Sequence, residues 1–120
     1  MDIEVGDYVR TRNGEIGIFI EYRNDKFFCK IKIRNTYYTP PISTIVNHSK
    51  NIIDLIEEGD LLFINDFAYY NFIHIYDETM LEALKEDVRN GVKIKQILTH
   101  EQYLQNCYTV EREEEIWDKD

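Results

Sequence analysis

Asn13-Gly14 stands between two β-rich runs, Tyr8-Val9-Arg10-Thr11-Arg12 and Ile16-Gly17-Ile18-Phe19-Ile20-Glu21-Tyr22. Both turn positions tolerate positive φ, so the pair reads as a tight hairpin and commits the start of the chain to antiparallel β structure. Val5-Gly6-Asp7 is a turn that opens the first strand, and Gly17 is small enough to let two strands cross closely. Arg23-Asn24-Asp25 is a further turn. Phe27 to Ile33 then alternates: Cys29, Ile31 and Ile33 share one face, while Phe28, Lys30, Lys32 and Arg34 share the other. Tyr37-Tyr38 starts another extended piece, stopped by Pro40-Pro41, and Ile42 to Val46 reads as a short strand.

The Gly-Asp turn occurs twice. Ile3–Val9 and Ile56–Leu62 share Ile, Glu, Gly and Asp at an offset of 53 residues. This echo suggests half-units 1–47 and 54–110 inside one compact domain, 1–110, followed by an acidic tail, 111–120. Between the halves, Ser49 to Ile56 reads equally as a short capped helix or as a strand. Leu61 to Ile64 is a strand, Asn65-Asp66 a turn, and Phe67 to Tyr76 a second long β-rich run. Thr79-Met80-Leu81-Glu82 fits a capping box, Leu81, Leu84 and Val88 make an apolar stripe, and Asn90-Gly91 is a stop signal. Val92 to Leu98 is a strand with Val92, Ile94 and Gln96 on one face. Thr99 and Gln102 suggest a second capping box, and Cys107 to Val110 a last strand. The expected fold class is α+β: one or two SH3-like small antiparallel β-barrels with one main helix near 79–90.

Charge divides the same way. Residues 1–50 hold eight basic and six acidic side chains; residues 51–120 hold six basic and seventeen acidic ones, and the whole chain carries −9. Such a chain can offer a basic face to one partner and an acidic face to another. The start is acidic and has no apolar export segment, and the longest uncharged apolar stretches are about half the ~20 residues of a spanning helix. The expected location is therefore the cytoplasm, with Cys29 and Cys107 as thiols.

Catalytic and metal signatures are missing. His48, His74 and His100 are far apart, with no His-x-x-x-His or Cys-x-x-Cys spacing, so no metal or cofactor is expected. Ser43 and Ser49 lie outside any nucleophile turn, and the five glycines are scattered singly, so no phosphate loop exists. A non-enzymatic protein is expected. Two binding surfaces remain. Tyr69, Tyr70 and Phe72 in the aromatic run, with Glu78, Glu82 and Glu86 on the following helix, suit a protein partner, with rings as anchors and acids for steering. Arg23, Lys30, Lys32, Arg34 and Tyr37 form a basic and aromatic set that suits single-stranded nucleic acid or a nucleotide, against an overall negative charge that opposes it.

Three stretches carry a resemblance. Ile-Glu-Val-Gly-Asp-Tyr-Val-Arg-Thr (from Ile3), His-Ser-Lys-Asn-Ile-Ile-Asp-Leu-Ile-Glu-Glu-Gly-Asp (from His48) and Ile-Leu-Thr-His-Glu-Gln-Tyr with a following Tyr-Thr-Val-Glu (from Ile97) resemble small phage and prophage proteins of AT-rich Gram-positive bacteria. The Val-Gly-Asp-Tyr-Val-Arg-Thr opening is similar to SH3-like barrels of the KOW type. Residues 61–96 do not fit the pattern. The resemblance implies a protein that engages and inhibits a host protein, such as a nucleic-acid-binding defence protein, in the manner of anti-CRISPR proteins. It carries no functional residues over.

Overall fold

The computed structural model describes residues 2–66 and 69–106, with backbone alone for Asp66, Tyr69, Tyr70, Asn71 and Asn106. The architecture is α+β, built on two open antiparallel sheets. The first contains β1 (Tyr8–Thr11), β2 (Ile16–Arg23), β3 (Phe28–Ile33), β4 (Thr36–Tyr38) and β5 (Ile45–Ser49), in the order β4-β3-β2-β1-β5. The second contains β6 (Leu61–Asp66), β7 (Tyr69–His74) and β8 (Lys93–Leu98), in the order β7-β6-β8. The main helix, α1 (Glu78–Arg89), joins β7 to β8, and a short helix, α2 (His100–Asn106), follows β8. Among the described residues no helix is long and apolar enough to cross a membrane.

Neither sheet closes, which corrects the expectation of barrels. The outermost strands of the first sheet, β4 and β5, do not pair with each other. β4 is only three residues long, and the Pro40-Pro41 pair that follows it cannot donate to a ladder. The chain instead makes a 3-10 turn at Ile42–Thr44 and enters β5 at Ile45, so the strand expected over Ile42 to Val46 starts three residues late.

Both sheets begin with the same device. Gly6 has φ +90° and Gly59 has φ +94°, conformations that L side chains rarely adopt. In the first turn the Glu4 amide donates to Asp7 Oδ2 at 3.1 Å, and the Asp7 amide donates to the Glu4 carbonyl at 3.0 Å. In the second, the Glu57 amide donates to Asp60 Oδ2 at 2.8 Å, and the Asp60 amide to the Glu57 carbonyl at 3.2 Å. The aspartate closes the turn with its own side chain, as short acidic residues do. Each turn then delivers a strand paired on both sides: β1 lies between β2 and β5, and β6 between β7 and β8.

The two sheets have separate cores. Ile3, Val9, Phe19, Cys29, Ile31 and Ile45 fill the first. The alternation of β3 is borne out, since Cys29 and Ile31 are fully buried. Close packing of β2 on β3 depends on Gly17, where a Cβ would stand 2.7 Å from the Lys32 carbonyl oxygen. The second core holds Ile56, Leu62, Ile64, Ile75, Leu84 and Val92, with Leu81 and Val88 packed against it. The stripe read from the sequence is thus the face α1 lays on the sheet.

Several boundaries move, for physical reasons. Helix α1 is capped by Asp77, not Thr79: the Asp77 carboxylate accepts from the Met80 amide at 2.8 Å, and an anion suits the helix start better than a hydroxyl. Its end is a Schellman motif. Gly91 (φ +106°) donates to Val88 and Val92 donates to Asp87. Asn65 and Asp66 are not a turn but continue β6, paired with Tyr70 and Tyr69. A register shift between Phe63 and Ile64 along the β6–β8 ladder puts Ile97 rather than Gln96 in line with Ile94 against the core. The segment open to either reading, Ser49 to Ile56, contains a 3-10 turn at Ile52–Leu55. The strand expected over Cys107 to Val110 and the acidic tail lie outside the described residues.

Candidate binding groove and the ionic hub that frames it

Arg10, in the middle of β1, is completely buried and reaches across to the second half. Its Nη1 donates to Asp60 Oδ2 at 2.6 Å and to the Leu55 carbonyl at 2.8 Å. Its Nη2 donates to Asp60 Oδ1 at 2.9 Å and to Glu101 Oε1 at 2.6 Å. Nε lies 3.0 Å from Glu57 Oε2, an ionic contact without an aligned hydrogen bond. Two parallel bonds to one carboxylate are the geometry that a planar guanidinium matches and an ammonium cannot. The carboxylates around it make the guanidinium hold its proton more tightly than usual, overcoming the opposing effect of burial. Asp60 also accepts from the His100 amide at 2.9 Å, so the start of α2 is tied to the same point. His100 Nε2 stands 3.2 Å from Glu57 Oε1 and 3.3 Å from Glu101 Oε1. These three side chains bring their ligand-type atoms within 4.8 Å of one another, a grouping invisible in the sequence.

The corresponding cluster on the first turn sets a buried Asp7 against more exposed partners. Asp7 Oδ1 is 2.7 Å from Lys50 Nζ, and Asp7 Oδ2 is 3.0 Å from His48 Nδ1. The hydrogen bond from Lys50, together with that from the Glu4 amide, holds the Asp7 carboxyl at about 2, well below its ordinary value. The same contact raises the Lys50 ammonium. A second latch joins the halves: Thr99 Oγ1 donates to the Gly14 carbonyl at 2.7 Å, so this hydroxyl bridges to the hairpin instead of capping α2.

Held this way, the two sheets enclose a groove of about 670 Å³. Strand alternation sends Leu62 and Ile64 to the α1 side and Leu61 and Phe63 to the other side. Leu61, Phe63, Phe72 and Leu98 form the floor; Ile16, Arg34 and Ile52 form the opposite wall. Phe63 and Phe72 face each other across the β6–β7 ladder with ring centroids 5.5 Å apart. Phe72 nevertheless leaves 64 % of its surface to solvent.

The expected protein-binding residues divide between two faces. Phe72 lines the groove, whereas Glu78, Glu82 and Glu86 are exposed on α1, which covers the opposite face of the same sheet. Glu82 is 3.5 Å from Lys85, and Glu86 is 2.8 Å from Arg89, so both acids already have partners. Tyr69 and Tyr70 lie in β7, and their side chains are outside the described residues. The basic set also divides. Lys30 and Lys32 stand 4.6 and 5.8 Å from the centroid of the Tyr37 ring, which brings three of the five together. Arg23 pairs with Glu21 at 2.9 Å at one end of β3. Arg34 follows the other end, about 20 Å away by the length of a six-residue strand, and borders the groove.

Sequence reasoning missed Arg10, Asp60 and, of the groove wall, Ile16 and Ile52. The signal for Asp60 was present in the repeated Gly-Asp turn; none pointed to Arg10 as its partner. No protein-family model, curated protein or solved structure matches the chain.

Proposed function

We propose that this chain is a non-enzymatic binding protein that engages and inhibits a host protein, with the groove between its sheets as the contact surface. One observation carries the reading: Phe72 leaves most of its surface to solvent, its ring tilted against Phe63 inside a concave apolar lining. Rings of this kind in a concavity are the anchors that dominate interface energies. Inhibition then follows from occupying a surface that the host protein needs, with no chemistry at the site. The sequence resemblance to phage proteins points the same way.

The pairing of Lys30 and Lys32 over Tyr37 favours a second reading, a site for single-stranded nucleic acid. Two experiments separate them. Immobilised protein is incubated with bacterial lysate beside a Phe72→Asp variant of unchanged melting temperature. The first reading expects a host protein retained by the parent and lost by the variant. Equal retention removes it. A labelled oligonucleotide that binds, and weakens steeply with salt, supports the second.

A further inference from the structure

The groove ends at a strand edge. Its lining includes Ile94, Lys95, Gln96, Ile97 and Leu98. Successive side chains of a strand point to opposite faces, so five consecutive lining residues place the edge of β8 itself in the groove. β8 pairs with β6 on one side and, among the described residues, with no strand on the other. A free edge offers unpaired N–H and C=O groups to any extended chain laid beside it. The edges of the first sheet, β4 and β5, border no such floor, and β4 is only three residues long.

Charge selects the occupant. Arg34 and Lys95 both line the groove, and neither has a carboxylate partner among the described residues. Elsewhere in the second half Lys85 and Arg89 are paired with glutamates, while Lys93, at the start of β8, is a further cation without a carboxylate partner among the described residues. In a chain of net charge −9, two unpaired cations beside an apolar floor favour a ligand carrying carboxylates.

We infer that β8 is a strand-addition site for an extended segment of a partner protein, alternately apolar and acidic. The segment pairs along Lys93–Leu98; its carboxylates, on the groove side, meet Arg34 and Lys95, and its apolar side chains, on the opposite side, extend the packing of Ile94 and Ile97. Backbone pairing supplies affinity and the alternate side chains supply selectivity. The inference rests on the groove being the contact surface.

The probe is a fluorescein-labelled, end-blocked nonapeptide alternating Val and Asp, titrated into the full chain by anisotropy, with hydrogen exchange read on the β8 amides. Two control peptides carry Lys in place of Asp, or N-methyl groups on the Val amides. Saturable binding is expected, with slowed exchange in β8. Each control should bind at least about tenfold more weakly, the ratio expected when one hydrogen bond or charge pair is lost. Equal affinity of the N-methylated peptide overturns strand addition, and equal affinity of the Lys peptide overturns the acidic partner. Slow β8 exchange that depends on protein concentration without peptide means that a second copy covers the edge, and also overturns it. If no peptide binds while lysate capture still depends on Phe72, strand addition fails and the groove reading stands. If capture fails as well, both fall.

Discussion

Arg10 and Asp60 meet through two parallel hydrogen bonds of 2.6 and 2.9 Å, with both side chains fully buried. They are 50 residues apart, Arg10 in a strand of the first sheet and Asp60 in the turn that opens the second. The aspartate that closes the second turn is therefore also the anchor that fixes one core against the other. Since the groove takes its floor from one sheet and its wall from the other, this pair sets its shape.

Replacing Arg10 with Met leaves the Asp60 carboxylate buried without its counter-charge. The expected loss is about 3–5 kcal/mol, the usual result of breaking a buried pair from one side. Arg10→Lys keeps the charge but not the fork, and should fall between Met and the parent. Urea denaturation measures all three. A loss below about 1 kcal/mol for Arg10→Met, the range of exposed pairs, would mean that the hub is not a structural anchor.

The first turn predicts an acid limb. The Asp7 carboxyl is lowered from 3.8 to about 2, chiefly by its hydrogen bond from Lys50. A folded value below the unfolded one means that the contribution is fully present above 3.8 and disappears as pH falls toward 2. Lys50→Met removes the largest cause, so the Asp7 titration followed by carbonyl-carbon NMR should move upward. Stability at pH 3 should then differ less from that at pH 6 than in the parent. An Asp7 midpoint unchanged by the substitution would contradict this.

Local chemistry was legible where neighbours in sequence decide it. The Gly-Asp turns, the Asn13-Gly14 hairpin and the Asn90-Gly91 helix stop all appear in the structure, because each depends on a φ preference or a cap a few residues away. The cap of α1 was misplaced by two residues, since Asp77 and Thr79 are both able to serve and the capping box at Thr79–Glu82 hid the stronger anionic cap. Groupings across the fold were not legible. Arg10 to Glu101 spans 91 residues, and nothing in the alternation of β1 marks an arginine that turns inward. The open sheets were hidden for the same reason, since closure depends on which edges meet.

Gly14 and Gly6 offer a matched comparison. Both have positive φ, +81° and +90°. A Cβ on Gly6 meets nothing within 4 Å, whereas on Gly14 it would stand 2.3 Å from Thr99 Oγ1. Gly6→Ala should cost about 1–2 kcal/mol from backbone strain alone. Gly14→Ala adds overpacking and the loss of the Thr99 latch, for about 2–4 kcal/mol in total. Equal thermal shifts would show that Thr99 yields freely.

Charge reversal on α1 tests whether acidic steering and the groove act together. Glu82→Lys with Glu86→Lys turns two attractive pairs with Lys85 and Arg89 into repulsive ones, costing a few tenths of a kcal/mol each. Both positions lie on the covered face of the sheet, away from Phe72. The double variant should stay folded and bind the Val-Asp peptide with an unchanged on-rate at low salt. A faster on-rate would show that the helix field extends to the groove, because reversing two acids favours an acidic peptide.

Arg34 separates strain from charge. It adopts φ +57° without being glycine, in the two-residue turn between Ile33 and Thr36, and it lines the groove. A left-handed residue with a Cβ carries about 1–2 kcal/mol of strain. Arg34→Gly releases that strain, partly offset by the greater freedom of glycine in the unfolded chain, so the melting temperature should hold or rise slightly. Arg34→Ala keeps the strain and should leave the melting temperature near the parent's. Both remove the guanidinium from the rim, and both should weaken the Val-Asp peptide by about tenfold, one charge pair's worth. Because Arg34→Gly is expected to weaken binding without destabilising the fold, a lost affinity cannot be assigned to unfolding. If both variants bind the peptide as the parent does, Arg34 is a turn residue and the acidic partner must be recognised through Lys95 alone.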